Sequence, residues 1–557
     1  MLRKIYRLFD GDAVSLRQVI TILFAASIIF NLRALTHQPL FTHDGYFHNL
    51  FIVNLAEAFR NGHFYPRWLS GMDGGCGEAS LFFYPPLAYF FALPFYILTG
   101  NAGWAFTLLS IPITWLAGLA MYRYLREFVL PGDALIGAVL YLFLPTREAT
   151  FYLGGVMSEY VAYTAVPLLL LSLRRLFHGE GRYVFLLVAS MSFTLLSSVS
   201  MTTILSLFIP LYAIYEWQNT RPSRQELRII FIRLVGAGML AIPLSATLLV
   251  PFYTEFRNVH LGNHYPLLDP AKEFLLLLSP FWMLAWYLTF SLVIYFLLKL
   301  RRAPLEPSLR RQTRFLGILL CYLIFLMTPL SLPLWLHFPP LQAIQSPGRF
   351  GFCLAFIWGV LVAIYVAHFR GGSMKNIRAA WIIFAVLPFS YNTTDNFSHK
   401  ILREYSVRPF HEFLPKDVEI TRWTVSKNII EAAADCQQKA QVLEGKATVG
   451  IIGWKPYSLG FSIDADTPAS IRLGQFYYPH WKVTEGVATI STDATTGQLT
   501  LAVPPGKQTI HLAFVHPGII GVANTISLIS WSIMLIFLWK SRHFFRPDFP
   551  SQSTPST

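Results

Sequence analysis

Apolar runs of roughly 17–25 residues, the length a helix needs to cross a bilayer, recur along this chain of 557 residues. The first occupies 18–35, behind a head carrying Arg3, Lys4, Arg7 and Arg17. No small-residue cleavage site follows it, so it reads as an uncleaved signal anchor. Others lie at about 103–122, 133–146, 157–173, 183–197, 201–217, 229–251, 281–298, 315–330, 350–368, 379–391 and 518–539. Lys and Arg gather between them in seven clusters, within 3–17, 123–126, 174–182, 221–233, 299–314, 370–378 and 540–546. Such clusters in short loops stay on the cytoplasmic side. Neighbouring clusters are separated by two apolar runs, except that three stretches, 18–35, 81–98 and 104–122, stand between the first and the second. Parity admits two crossings there. The middle stretch, with Pro85, Pro86 and Pro94, is therefore expected to be a re-entrant or interfacial element on the outer face. Non-helical backbone at that depth survives only when buried in protein or lining a cavity. The pattern predicts a mainly α, polytopic membrane protein of about twelve spans, with both termini cytoplasmic.

After Tyr391 the period changes. Alternation with period two appears at 457–465, 471–476, 498–503 and 509–514, separated by turn signals such as Pro504-Pro505-Gly506. This predicts an antiparallel β-sandwich, preceded by a partly helical stretch at 428–439. The chain thus divides into a membrane domain at 1–391, an outer-face β-sandwich domain at 392–516, and a final span with cytoplasmic tail at 517–557. Tyr477, Tyr478 and Trp481 are read as sandwich core or as a seat on the membrane domain, in preference to a surface that stacks on sugars. Cys76 and Cys436 both face the oxidising side and could bridge, although nothing in their spacing requires it.

Composition supports the membrane reading. Residues are 54% hydrophobic and 13% charged, about half the charged share of a soluble domain. An ordinary soluble protein and a disordered one are both excluded. The net charge of +14 suggests a nucleic-acid partner until it is located. The cytoplasmic segments carry +16, the outer loops −2, and 392–516 is neutral. The excess is a topology signal, and no nucleic-acid partner is expected. Six arginines remain on the outer face: Arg33, Arg60, Arg67, Arg147, Arg257 and Arg349.

The outer loop 36–80 carries the densest chemistry. Thr42-His43-Asp44-Gly45-Tyr46-Phe47-His48-Asn49 leads into 50–61, where apolar Leu50, Phe51, Leu55, Ala58 and Phe59 oppose polar Asn54, Glu57 and Asn61. That spacing makes an amphipathic helix lying in the interface plane. Asp44 stands at its N-terminus, either as a helix cap or as a general base at the mouth of a cavity; both make the same local demand. His43 and His48 flank it, and the i, i+4 spacing of Asp44 and His48 could share a metal ion, though a plain polar-face role is the commoner one. Gly71-Met72-Asp73-Gly74-Gly75-Cys76-Gly77-Glu78 allows tight turns near a ligand but forms no nucleotide fingerprint. Glu159 opens the span at 157–173, and an acid at that depth costs several kcal/mol unless paired or hydrated. Whether it meets an acceptor, a metal or Arg147 is open. Glu255, His260 and His264 read as solvated.

The first helix, Asp44, the stretch Arg67-Trp68 with its glycines, and Phe83-Tyr84-Pro85-Pro86-Leu87 together resemble the bacterial multi-spanning glycosyltransferases of the GT-C fold. Gln345-Ser346-Pro347-Gly348-Arg349-Phe350 is similar to the signature of the membrane families known as 6-pyruvoyl-tetrahydropterin-synthase-related. Tyr477-Tyr478-Pro479-His480-Trp481 and Pro504-Pro505-Gly506-Lys507 resemble segments of their outer β-domain. The pterin-synthase label itself finds no support, because no soluble domain with clustered zinc histidines is present. The resemblance implies transfer of a sugar from a polyprenyl-phosphate donor to a glycan, lipid or protein acceptor, on the outer face of a bacterial plasma membrane. Asp44 matches the base. A single Asp stands where the family pattern has Asp-x-Asp, so a divalent metal is permitted but not demanded, and no other cofactor is implied; His480 replaces the usual glycine.

Such chemistry needs a base within hydrogen-bond reach of the acceptor hydroxyl and a cation on the leaving phosphate. Arg349, at the outer end of a span, is the first choice for the phosphate, against the plain alternative that it pairs with an acid or snorkels to headgroups. Arg67 and Arg147 are second choices. His43, His48, Glu159 and Tyr84 are candidates for substrate or metal contact. Two other classes compete: a transporter or flippase of lipid-linked saccharides, and a non-catalytic component of an envelope polysaccharide assembly. A transporter predicts internal repeats and polar midplane groups. No repeat is visible, and polar residues concentrate at the outer ends of the spans.

Overall fold

A computed structural model describes residues 14–36, 44–144, 147–148, 150–260, 280–344, 346–369, 413–418 and 434–540. Of the twelve apolar runs, eleven fall on helices and the one at 379–391 lies outside the described residues. The starts of these helices are written in the sequence. The Asn101 side chain accepts from the Trp104 N–H to begin Ala102–Leu125. Ser198 does the same for Val199–Thr220 through the Met201 N–H. Ser223 and Glu226 form a reciprocal capping box at Arg224–Leu244, which satisfies two orphan donors at once.

Among the described residues seven helices are long and apolar enough to cross a membrane, and the bent pair Pro307–Leu326 and Pro329–His337 would make an eighth. Two of the expected spans form helices shorter than the rest. Pro131–Leu142 and Tyr183–Ser197 are apolar but have only 12 and 15 residues, roughly 18–23 Å of helix against a core of about 30 Å. The proline-rich stretch at 81–98 becomes one turn at Ser80–Phe82 and a helix at Leu87–Thr99. Gly100 ends that helix in the left-handed region at φ 66°. It spans about 20 Å, too short to cross. At the centre of the bundle, Gly351–His368 is almost wholly buried and lies against Pro131–Leu142. A Cβ at Gly137 would come within 2.9 Å of the Gly359 carbonyl, and one at Gly359 within 2.7 Å of Met121. Small residues are what allow the two backbones so close. Gly518–Lys540, by contrast, is mostly exposed at the periphery.

The C-terminal part is a sandwich of two four-stranded antiparallel sheets. One holds β1 (Ala440–Glu444), β4 (Ala469–Phe476), β7 (Gln498–Val503) and β6 (Thr489–Thr492), in that order. The other holds β2 (Ala447–Lys455), β3 (Ser458–Ala465), β8 (Gly506–Phe514) and β5 (Trp481–Glu485). Buried Phe461, Ile463, Ile471, Leu473, Leu499, Leu501, Ile510 and Leu512 fill the space between them. The expected stretch at 428–439 lies largely outside the described residues.

The sandwich shares a core with the loop that follows the helix Gly45–Arg60. Trp68 stacks on Phe514 at 5.3 Å and Phe82 on Tyr478 at 5.6 Å. Tyr478 and Trp481 are buried there, as the seat reading expects. The Tyr457 hydroxyl accepts from the N–H groups of Arg67 and Trp68. Gly77 sits at φ 87° directly under Trp68, where a Cβ would lie 2.4 Å from the indole. Cys76 and Cys436 are joined in a disulfide across 360 residues of sequence, with Cα atoms 5.1 Å apart. Glu255, read as solvated, is instead 2% exposed. It accepts from the Tyr478 hydroxyl at 3.1 Å and from Asn258 at 2.9 Å, and His480 Nε2 stands 3.1 Å away. Burial opposes its ionisation, but the bonds from His480, Asn258 and Tyr478 prevail and hold its carboxyl below the usual range.

Candidate functional site

Asp44 precedes the helix Gly45–Arg60, and its side chain makes no capping bond to that helix. Asp44 holds the N-cap position through its backbone, its carbonyl accepting from the His48 N–H at 3.1 Å. The Asp44 N–H donates to the Gly154 carbonyl at 2.9 Å. That carbonyl ends a π-helical turn at Thr150–Gly154, and Gly155 follows with φ 65°. A left-handed residue at this point, easy only for glycine, turns the chain into Met157–Ala162, which begins with Ser158 and Glu159. Two segments far apart in sequence thus meet at one backbone bond.

Glu159 is buried at 2% exposure. Its Oε1 lies 3.0 Å from Nε of Arg349, whose side chain keeps 23% of its exposure. Arg349 rides on the turn Pro347–Phe350, started by the Ser346 hydroxyl accepting from the Gly348 N–H. It also donates to the Ser200 hydroxyl at the start of Val199–Thr220. Glu159 therefore meets Arg349, not Arg147, and fixes the direction of its guanidinium.

His48 is buried, with Nδ1 2.7 Å from the Tyr89 hydroxyl. Its Nε2 finds no hydrogen-bond partner among the described residues. Burial pulls its pKa down to about 4, against a pull upward from Asp44 and with a further push downward from Arg349. His48 is thus neutral near pH 7. Asp44 and Arg349 are also the two charges that act on Glu159. Asp44, His48, Glu159 and Arg349 therefore share one electrostatic neighbourhood. The Tyr84 hydroxyl lies 3.2 Å from that of Ser158, and its ring packs near those of His48, Phe51, Tyr89 and Phe413. Asp44, Tyr84 and Arg349 are half-buried, and His48, Tyr89 and Glu159 are buried.

Arg67 and Arg147 stand elsewhere. Arg67 is fully buried and donates to the Leu81 and Thr247 carbonyls and to Asn524, with its guanidinium 3.5 Å from the Tyr65 ring. It ties the first loop to the helices Ala246–Glu255 and Gly518–Lys540. Arg147 is enclosed by the rings of Phe30, Tyr141, Tyr160 and Tyr163, at 5.0–5.7 Å, and donates to Tyr160. His43 lies outside the described residues. Among the described residues no group of three or more His, Cys, Asp or Glu side chains is placed to hold a metal ion. Tyr89, Ser158 and Ser200 join the site without having been singled out in the sequence; as single polar residues in apolar stretches they carry no signal of their own.

Long apolar helices bearing a β-sandwich define a multi-spanning membrane protein. Residues 81–396, more than half of the chain, match the model of the 6-pyruvoyl-tetrahydropterin synthase related domain, a membrane-protein family, and the chain belongs to that family. The resemblance of Gln345–Phe350 to the signature of that family is borne out. The match takes in Tyr84, Glu159 and Arg349 and begins after Asp44. Similar solved structures include the crystal structure of ArnT from Cupriavidus metallidurans bound to undecaprenyl phosphate, at 11% identity and a TM-score of 0.38, over 76% of this chain and 71% of that one. No curated protein matches it.

Proposed function

We propose that the chain is a glycosyltransferase of the GT-C type that moves a sugar from a polyprenyl-phosphate donor to an acceptor hydroxyl, on the outer face of a bacterial plasma membrane. The observation that carries the reading is the joint placement of Asp44, whose side chain makes no capping bond, and the Glu159-held Arg349, acting on the same buried His48 and Glu159. In this reading Arg349 takes the donor phosphate, which gains negative charge as the bond to the anomeric carbon breaks. Asp44 takes the proton of the attacking acceptor hydroxyl. Glu159 holds the guanidinium in position, and neutral His48 with Tyr89 and Tyr84 forms the polar floor and wall against which a sugar lies. Attack assisted by one base inverts the anomeric carbon. A divalent metal is not demanded by this scheme. The disulfide between Cys76 and Cys436 supports an outer location of the loop and sandwich, since such bonds persist in oxidising compartments.

Purified protein supplied with labelled polyprenyl-phosphate sugars tests the reading. Asp44→Asn is expected to abolish transfer while expression and membrane insertion stay intact. Full activity in that variant removes Asp44 as base, and flipping of the donor without transfer replaces the enzyme reading with a transporter.

A further inference from the structure

The helix Val199–Thr220 has 22 residues, so its ends stand about 30 Å apart, one bilayer core. At one end Ser200 contacts Arg349. At the other end a recess of about 760 Å³ opens against the helix Pro307–Leu326. Arg221, Arg311 and Arg314 line it, and no carboxylate is among its lining residues. Arg221 is carried there by a left-handed turn at φ 47°, its N–H closing on the Trp217 carbonyl at 2.8 Å. The Arg311 Nε–H donates to the Asn219 side chain at 2.7 Å. Arg311 and Arg314 are spaced i, i+3 on their helix, where side chains are neighbours and like charges repel. An anion between them would offset that repulsion.

The rest of the recess is apolar. Tyr215 and Phe315 stack at 4.5 Å, and Ile214 and Ile318 flank them, 49% and 69% exposed. Charge at the helix ends with exposed hydrocarbon further along the same two helices is the profile of an amphiphile that keeps its tail in the bilayer. A soluble phosphate would use the arginines and leave the apolar wall idle.

We propose that this recess binds an anionic phospholipid of the surrounding bilayer, its phosphate on Arg221, Arg311 and Arg314 and an acyl chain along Ile214 and Ile318. The site lies at the opposite membrane face from Asp44 and does not depend on the activity proposed above. The test is native mass spectrometry of the detergent-purified full chain, incubated with phosphatidylglycerol or phosphatidylethanolamine. The unaltered chain is expected to retain one phosphatidylglycerol in preference to phosphatidylethanolamine. Arg311→Gln with Arg314→Gln should weaken that retention roughly tenfold or more, while Arg301→Gln with Arg302→Gln, which lie outside the recess, should not. Should the first pair fail to fold, Ile318→Glu places a carboxylate on the exposed wall and is expected to lose the lipid as well. Equal retention of the two phospholipids, undiminished retention in the recess variants, displacement by inorganic phosphate, or preferential retention of a polyprenyl phosphate would each overturn the proposal.

Discussion

Glu159→Gln separates a positioning role from a merely structural one. It removes the charge that faces Arg349 and keeps the shape and one acceptor. The two side chains meet at 3.0 Å with 3% and 23% exposure. At that separation two unit charges attract by about 5 kcal/mol with an effective dielectric of ~20. Burying the carboxylate costs several kcal/mol of this, and water reaches Arg349 and screens more. A net loss of about 1–3 kcal/mol remains, roughly 5–150-fold in any step that depends on the direction of the guanidinium. The assay is transfer from a labelled polyprenyl-phosphate sugar by the purified unaltered protein, Glu159→Gln, Arg349→Gln and the double variant, with thermal midpoints alongside. Glu159→Gln should raise the donor KM, and the double variant should be no worse than Arg349→Gln alone. Independent, additive losses in the two single variants would refute the idea that Glu159 acts through Arg349.

Other outcomes follow from the same geometry. Arg67→Met leaves the Leu81 and Thr247 carbonyls without their guanidinium donor, while Asn524 keeps the Thr247 hydroxyl; a loss of about 2–5 kcal/mol in stability should show in denaturation midpoints, with the donor KM of the folded fraction unchanged. Cys76→Ser opens the long tie to Cys436 and is expected to cost about 2–5 kcal/mol, read as earlier proteolysis of the β-sandwich; thiol labelling of the untreated protein should find only Cys321 and Cys353 reactive after unfolding. His48, held near 4 against 6.5, binds fewer protons folded than unfolded. Its contribution is complete above pH 6.5 and is lost as pH falls toward 4, on the order of 3 kcal/mol. Replacing His48 with Asn should flatten that acid limb in pH-dependent unfolding, and an unchanged limb would show that His48 is not its source.

Much of the architecture was legible because a bilayer and a sheet impose simple periods. The long runs at 103–122 and 201–217 became Ala102–Leu125 and Val199–Thr220. The four alternating runs became β3, β4, β7 and β8, the strands with buried inner faces. The remaining strands, β1, β2, β5 and β6, are mostly half-buried or exposed, with Trp481 their one fully buried residue, so their pattern is weaker in the sequence. Span count was less legible: hydrophobicity does not separate a crossing helix from one of 12 residues buried in the bundle, such as Pro131–Leu142.

For the site, the sequence by itself determined which residues are costly where they stand. Asp44 before an interfacial helix, Glu159 and Arg349 at the ends of apolar runs, and few other arginines on that side were all visible without coordinates. Only the tertiary structure decided how these costs are met. Glu159 is met by Arg349, 190 positions away in sequence, Arg147 by a cage of rings, and Glu255 by His480 and Tyr478 from the β-sandwich. The physical reason is that the penalty for burying a charge is local to the residue and its depth, while the partner that offsets it is chosen by packing across the whole chain.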